Sequence, residues 1–332
     1  MSARTVPIHF VLRLLREAER RGLDAMPLVL ASGLTPAMMD NPQARATVDQ
    51  MSVLTRAVWK LTGDELFGLG PSVPRGTLNL LGISLVHAED LRDVIARACE
   101  GTAVMSGAPD ITAEFGVERT RVEIDLSRLD DPEHLGSESM MAMLHRFVGW
   151  LIGRRIVLRS IEFPYPAPPH ADFYDVIFGR TPIFGARQTA MTFDSELLTL
   201  PVVRTEREMR EFVRAMPMTW YSTRDDEPST GERVRRVLER GLKGEWPTSE
   251  DIAARLAVSV PHLRRLLREE GTSVSRIKEE ILRDAAVASL VRGEESVEDL
   301  AQRLGFSEAS AFRRAFRRWT GSPPGAYRSG GE

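Results

Sequence analysis

Cysteine is nearly absent. Cys99 is the only one in 332 residues, so the chain can form neither an internal disulfide nor a multi-cysteine zinc site. It sits in AEDLRDVIARACEGT at helical spacing from Leu91 and Ile95, where a thiol packs as a small hydrophobe. No apolar run approaches the eighteen or so residues that a membrane span needs. The opening MSARTVPIHFVLRLLREAERRG breaks its apolar stripe at Arg13, Arg16, Glu17 and Glu19, the pattern of an amphipathic helix and not of a signal peptide. The chain therefore reads as cytoplasmic, with no membrane partner. Its six histidines, His9, His87, His134, His145, His170 and His262, are scattered, and no two stand at metal-ligand spacing, so neither a metal nor another cofactor is expected. GDELFGLG and GTLNLLG contain glycines but lack a Gly-Lys-Ser/Thr ending and the strand-glycine-helix fingerprint, which removes phosphate-loop and dinucleotide readings. No nucleophile with a base and no carboxylate pair stands out, so the chain is not read as an enzyme.

What is present is globular composition, 42% hydrophobic and 27% charged, in a length that favours two domains. TWYSTRDDEPSTGE, residues 219–232, is rich in turn formers and charge and reads as a linker. It divides the chain into residues 1–218, a linker at 219–231, and residues 232–328. From Ser229 to the end there are 19 Lys plus Arg against 16 Asp plus Glu, a balance of +3 in a chain whose net charge is −3. An acidic first part and a mildly basic second part follow, and a basic part suits nucleic acid.

The first part mixes helices with short alternating stretches. Periodicity predicts helices at about Ile8–Arg20, Pro27–Ser32, Val48–Leu61 and Glu89–Met105. ITAEFGV and RTRVEIDLS, meeting around Glu118-Arg119, look like a β-hairpin. A long apolar helix, about Pro132–Gly153, turns Met140, Met141, Leu144, Phe147, Val148 and Leu151 inward. RRIVLRSIEFPYPAPP is a strand that Pro164 and Pro166 end, and TAMTFD is another. The sum is an α+β domain with a small antiparallel sheet. After the linker only helices are found.

The last hundred residues contain an internal repeat. SEDIAARLAVS at 249–259 matches VEDLAQRLGFS at 297–307, with Ile252 aligned to Leu300 and Ser259 to Ser307 at an offset of 48. LRRLLREEGTS matches FRRAFRRWTGSP, with Leu263 aligned to Phe312 and Arg264 to Arg313 at an offset of 49. Each copy carries the parts of a helix-turn-helix. Thr248 or Ser296, with Asp251 or Asp299 three residues on, opens the first helix as a capping box. Gly305 suits the positive φ that the turn demands, and Ala257 meets it less easily. Ser259 and Ser307 are expected to cap the second helices.

On the second helix of the first copy, Leu263, Leu266 and Leu267 form the buried stripe and leave His262, Arg264, Arg265 and Arg268 outside. On its counterpart, Phe312, Ala315, Phe316 and Trp319 go inward and leave Ser310, Arg313, Arg314, Arg317 and Arg318 outside. Most basic helix faces are merely solvated, but a repeated one with matching caps fits a major groove, where arginine pairs bidentately with guanine.

The stretch GFSEASAFRRAFRRWTGSPPGAYR, Gly305–Arg328, resembles the signature of the AraC/XylS family of transcription regulators, and the likeness extends over about residues 232–328. It implies an all-α C-terminal domain in which two helix-turn-helix units, joined by a long helix at about Val274–Arg292, enter adjacent major grooves of double-stranded DNA. Carried over by position, the DNA-facing residues are His262, Arg264, Arg265 and Arg268 in the first unit and Ser310, Arg313, Arg314 and Arg317 in the second. Pro261 reads as a first-turn proline. Residues 22–200 resemble the N-terminal domain called arabinose-binding in one branch of the family, through LVLASGLTPAMMDNPQAR, LTGDELFGLG and FPYPAPPHADFYDVIFGRTPIFGARQTAMTFDSELL. The resemblance implies an activator that senses a small organic effector, forms a homodimer and meets RNA polymerase. His87, Met140, Leu144 and His145 are the candidate effector contacts. An enzyme with a fused DNA-binding tail, and an architectural DNA-binding protein without an effector, are the alternatives.

Overall fold

In the computed structural model, residues 5–168, 171, 174–216, 229–243, 246–293 and 295–328 are described. The chain opens with a short strand, β1 (Thr5–Pro7), that pairs antiparallel with β2 (Arg45–Thr47), Val6 opposite Ala46. Between them run α1 (Ile8–Arg20), α2 (Met26–Ala31) and α3 (Pro36–Met39), and α4 (Val48–Thr62) follows β2 directly. Ile8, Val11, Leu14, Leu15 and Ala18 recur every three or four positions along α1 and are buried. The Thr35 hydroxyl accepts the Met38 backbone N–H to cap α3, and Pro36 takes the first helical position, where its missing N–H costs nothing.

The next stretch builds the sheet. α5 (Thr77–Leu85) and α6 (Leu91–Val104) precede β3 (Ile111–Phe115) and β4 (Arg119–Ile124); then come α7 (Leu135–Leu151), β5 (Leu158–Phe163), α8 (Tyr174–Phe178), β6 (Ile183–Phe184), β7 (Thr189–Asp194) and α9 (Glu206–Ala215). The strand order is β3-β4-β7-β5-β6, antiparallel throughout except for the parallel β5–β6 pair at one edge. The hairpin read from the sequence is the β3–β4 pair, with Ala113 opposite Val122. One face of the sheet lies under α6 and α7: Val94, Ile95 and Ala98 from the first helix and Met141, Val148 and Leu151 from the second pack on Ile161, Phe163, Met191 and Phe193. On β4, Arg121 forks onto Glu162 of β5 at 2.7 and 2.9 Å. This bond holds the Glu162 carboxyl below its ordinary range.

Among the described residues six α-helices follow: α10 (Thr230–Glu239), α11 (Ser249–Arg255), α12 (Val260–Glu269), α13 (Val274–Arg292), α14 (Val297–Arg303) and α15 (Ala309–Thr320), with a 3-10 turn at Pro324–Tyr327 after them. Val234 and Leu238 of α10, Ile252 of α11, Leu263 and Leu267 of α12 and Ile277 and Ile281 of α13 share one core. A second gathers Phe312 and Phe316 of α15 with Tyr327, whose ring meets Phe316 edge-on at 5.2 Å.

The chain divides into two compact units, Met1–Thr55 with Pro228–Glu332, and Arg56–Glu227. The sequence pattern keeps residues 1–218 together and places a linker at 219–231, of which 219–228 lie outside the described residues. The difference lies in the first 55 residues, which group with the C-terminal helices. Thr5 Oγ1 donates to the buried Asp284 carboxylate of α13 at 2.5 Å, and Arg45 Nε donates to Thr5 Oγ1 at 2.7 Å. Thr35 Oγ1 donates to the Ala326 carbonyl at 2.8 Å, and Asn41 Nδ2 to the Thr320 carbonyl at 2.7 Å. Burial, reinforced by Arg283, lowers the Arg45 pKa to about 10, which still leaves the guanidinium charged at neutral pH.

Candidate nucleic-acid interface

Each helix-turn-helix opens on a built cap. The Thr248 hydroxyl accepts the Asp251 N–H at 3.1 Å while the Asp251 carboxylate accepts the Thr248 N–H at 2.9 Å, which closes a capping box and holds the Asp251 carboxyl low. In the second copy the Ser296 hydroxyl accepts the Asp299 N–H at 3.0 Å. Both turns use the left-handed region, Gly305 at φ 84° and Ala257 at φ 56°. The alanine is the strained one, because its Cβ meets the following carbonyl.

The second helices then start differently. Ser259 Oγ accepts the His262 N–H at 3.3 Å and caps α12. Ser307, expected to do the same, is not the cap of α15. Glu308 takes that place without a side-chain cap bond, and the Ser310 hydroxyl donates to its carboxylate at 2.9 Å. The cause is the extra residue that moves the repeat offset from 48 to 49, since it delays the helix by one position.

The two recognition faces follow from burial. Leu263 and Leu267 are buried, so His262, Arg264, Arg265 and Arg268 project into solvent. Phe312, Ala315 and Phe316 are buried, so Ser310, Arg313, Arg314, Arg317 and Arg318 project likewise. Trp319 is only half-buried, and its indole N–H donates to the Glu279 carboxylate at 2.7 Å beside Arg318 at 2.6 Å. Besides Arg318, two arginines of the faces are tied down: Arg265 to Glu269 at 2.9 Å and to the His262 ring at 3.1 Å, and Arg313 to Glu298 at 2.5 Å. Among the described residues no acidic group stands within ion-pair distance of Arg264, Arg268, Arg314 or Arg317. These four guanidiniums are free to meet an external anion, and each presents a donor fork suited to a phosphate or a guanine edge.

In the unit Arg56–Glu227, α5, α6, α7 and α9 line an apolar cavity of about 90 Å³. It brings together two of the four candidate effector contacts, Met140 and Leu144, with Phe147, which the sequence turns inward, and with Met209 and Phe212, which the sequence does not single out. His145 and His87 lie outside its lining. The His145 ring is buried and its Nε2 donates to the Ile156 carbonyl at 2.8 Å, a bond that anchors α7 to the chain entering β5. His87 is exposed and pairs with Glu206 at 3.0 Å. Cys99 is half-buried on α6, and burial pushes its thiol pKa up. Among the described residues no group of three or more His, Cys, Asp or Glu could hold a metal, and no helix is long and apolar enough to cross a membrane.

Residues 22–202 match the model of the arabinose-binding domain of AraC transcription regulators, N-terminal part, and residues 252–330 match a helix-turn-helix domain. The chain is 26% identical over 330 residues to an ornithine utilization regulator of Pseudomonas aeruginosa, covering 98% of this chain and 97% of the other. It is 28% identical over 196 residues to the transcriptional regulator VirS of Mycobacterium tuberculosis, covering 59% and 57%. Over 96 residues it is 36% identical to the transcriptional activator NphR of a Rhodococcus species, covering 29% of each. With the first match running through more than half its length and the helix-turn-helix domain following, this chain belongs to the AraC family of transcription regulators.

Proposed function

We propose that the protein is a sequence-specific activator that docks α12 and α15 in adjacent major grooves of double-stranded DNA and responds to a small organic effector held by the unit Arg56–Glu227. The observation that carries this reading is the pair of recognition faces. Two copies of one motif bury the apolar side of a helix and leave Arg264, Arg268, Arg314 and Arg317 exposed and unclaimed by acidic partners. At 1.5 Å per residue α13 is roughly 28 Å long, close to the ~34 Å that separates successive major grooves on one side of B-DNA.

Within each face the roles divide by position. Arg264 and Arg265, and Arg313 and Arg314, stand in the early turns, where base edges are nearest; Arg268 and Arg317, one turn later, meet phosphate. His262 and Ser310, at the helix starts, add polar contacts. The Rhodococcus relative, named an activator, supports activation, which brings in RNA polymerase as a partner. A homodimer in the cytoplasm, with residues 219–231 as the tether between the effector unit and the DNA-binding region, completes the reading. Footprinting on genomic DNA, followed by transcription from the protected promoter with and without the protein, tests it. Protection of two half-grooves about 10 base pairs apart and raised transcription are the expected results. Diffuse protection without sequence preference would point to the architectural alternative.

A further inference from the structure

The wall of the cavity between α5, α6, α7 and α9 is carbon and sulfur throughout. The polar side chains at its rim are already committed. The Glu65 carboxylate accepts the backbone N–H groups of Gly76 at 2.7 Å and Leu78 at 2.8 Å. The Thr102 hydroxyl donates to the Ala98 carbonyl at 2.9 Å and accepts the Ile111 N–H at 3.1 Å, and the Thr77 hydroxyl donates to the Pro74 carbonyl at 2.7 Å. A sugar or a charged amino acid placed here sheds the water on its hydroxyl, ammonium or carboxylate groups and finds nothing in exchange. A neutral hydrocarbon meets no such penalty and gains from leaving water.

The size points the same way. Apolar cavities of order 150 Å³ stay dry and take benzene or xenon. This one, at about 90 Å³, is somewhat smaller, but five methionines, Met105, Met140, Met143, Met209 and Met216, lie on it, and unbranched thioether side chains adapt readily. A second void of about 20 Å³ lies behind it and shares Leu85, Ala98, Ile111 and Leu144 with the first. The movable wall is α9. The walls from α6 and α7 belong to helices set in the unit's core, whereas α5 buries only Leu85 beside Gly82, and α9 buries only Met209 fully, rests Phe212 on Phe147 and Trp150, and is charged on its outer side. Met209 sits directly on Gly82, where a Cβ would stand 1.9 Å from its Cε. α9 ends at Ala215, and the next described helix, α10, begins the C-terminal run at Thr230.

We propose that this cavity is the effector site and that its ligand is a neutral hydrocarbon group the size of a single aromatic ring. Its entry displaces Met209 and with it α9, and so alters DNA binding. The assignment rests on the effector-responsive reading above and narrows it, setting aside sugars and charged amino acids.

The test uses the full chain labelled at its methionine methyl groups, with toluene as the probe and L-arabinose and L-ornithine as polar comparators. Toluene shifts the methyl signals of Met140, Met143 and Met209 saturably, leaves that of Met38 in place, and raises Tm by about 2–4 °C. The two polar compounds do neither. Ala98→Leu, which fills the space between the two voids, loses the response to toluene, and the wild-type titration decides the question even where that variant folds poorly. The absence of saturable shifts at Met140 and Met209 overturns the proposal. A Tm rise with ornithine or arabinose that leaves these methyls unmoved also overturns it, yet leaves the effector-responsive regulator standing. Toluene shifts with unchanged DNA affinity overturn the coupling through α9.

Discussion

The Arg45 backbone N–H donates to the Tyr327 hydroxyl at 2.9 Å, across 282 positions of sequence. Tyr327 is fully buried against Phe316 of the second recognition helix. A residue from the N-terminal 55 thus helps to fix the base of α15, the second proposed DNA-reading helix. Removing the hydroxyl leaves the Arg45 N–H without its acceptor, so Tyr327→Phe should lower the stability of this unit by about 1–2 kcal/mol. Denaturant unfolding measures it, and an unchanged midpoint would show that the bond is incidental. By the same logic a fragment of residues 229–328 should melt below the full chain, since it lacks the partners of Asp284, Thr320 and Ala326.

The two turns of the repeat offer an internal comparison. Ala257 and Gly305 occupy equivalent places at positive φ. A Cβ on Gly305 meets nothing nearer than Trp246 Nε1 at 3.8 Å, so the cost of a side chain there is conformational and not steric. Ala257→Gly should therefore stabilise the first helix-turn-helix, and Gly305→Ala should destabilise the second, each by about 1 kcal/mol. Thermal melts of both variants check the signs. A loss of stability in Ala257→Gly would contradict the strain assigned to that turn.

Glu298 holds Arg313 at 2.5 Å, with both side chains more than half exposed. Its removal frees a cation on the proposed DNA face and deletes a charge that would repel phosphate there, while a surface pair of this kind contributes little to folding. Glu298→Ala should tighten DNA binding about 2- to 5-fold at low salt, with Tm nearly constant. Titration at two salt concentrations reads it. Weaker binding would mean that Glu298 orients Arg313 for the groove.

The bond from Arg318, joined by Trp319, holds the Glu279 carboxyl below its ordinary range. A carboxyl whose pKa is depressed by folding contributes stability that is present above its unfolded value, near 4.5, and is lost as pH falls through the folded value. The latch between α13 and α15 should open on acidification, and Trp319 fluorescence should change with it. The wild type minus Glu279→Gln difference spectrum isolates that signal, and a difference flat from pH 6 to 3 would exclude the latch.

Much of this was legible where the sequence is periodic. α1 runs from Ile8 to Arg20 as its stripe of Ile8, Val11, Leu14 and Leu15 predicts, and the outward residues of α12 follow from Leu263 and Leu267. Other elements carry no such signal. α5, TLNLLGISL, is apolar nearly all round, so no face stands out. α9 is so charged that its single buried side chain, Met209, leaves no apolar stripe to read, and the one signal that could have found it is the capping box of Thr205 and Glu208 at its start. The grouping of residues 1–55 with the C-terminal helices depends on bonds such as Asn41 to Thr320, whose partners lie hundreds of positions apart and leave no local trace. The tie of Arg313 is likewise invisible, because Glu298 meets it only once the two helices are folded together, whereas Arg265 and Glu269 stand four residues apart on α12, a spacing the sequence does show.

The central claim is that two helices read two grooves. The most direct measurement is a binding titration on the footprinted operator and its single-base variants, at several salt concentrations, for alanine replacements of Arg264, Arg265, Arg268, Arg313, Arg314 and Arg317. Replacing a base reader should cost about 1–3 kcal/mol and relax preference at one base pair, with losses from α12 and α15 falling about 10 base pairs apart. Arg268→Ala and Arg317→Ala should weaken all sequences alike and each reduce the salt slope by about one unit. If Arg264→Ala and Arg314→Ala both leave affinity and specificity unchanged, the two-groove account is wrong.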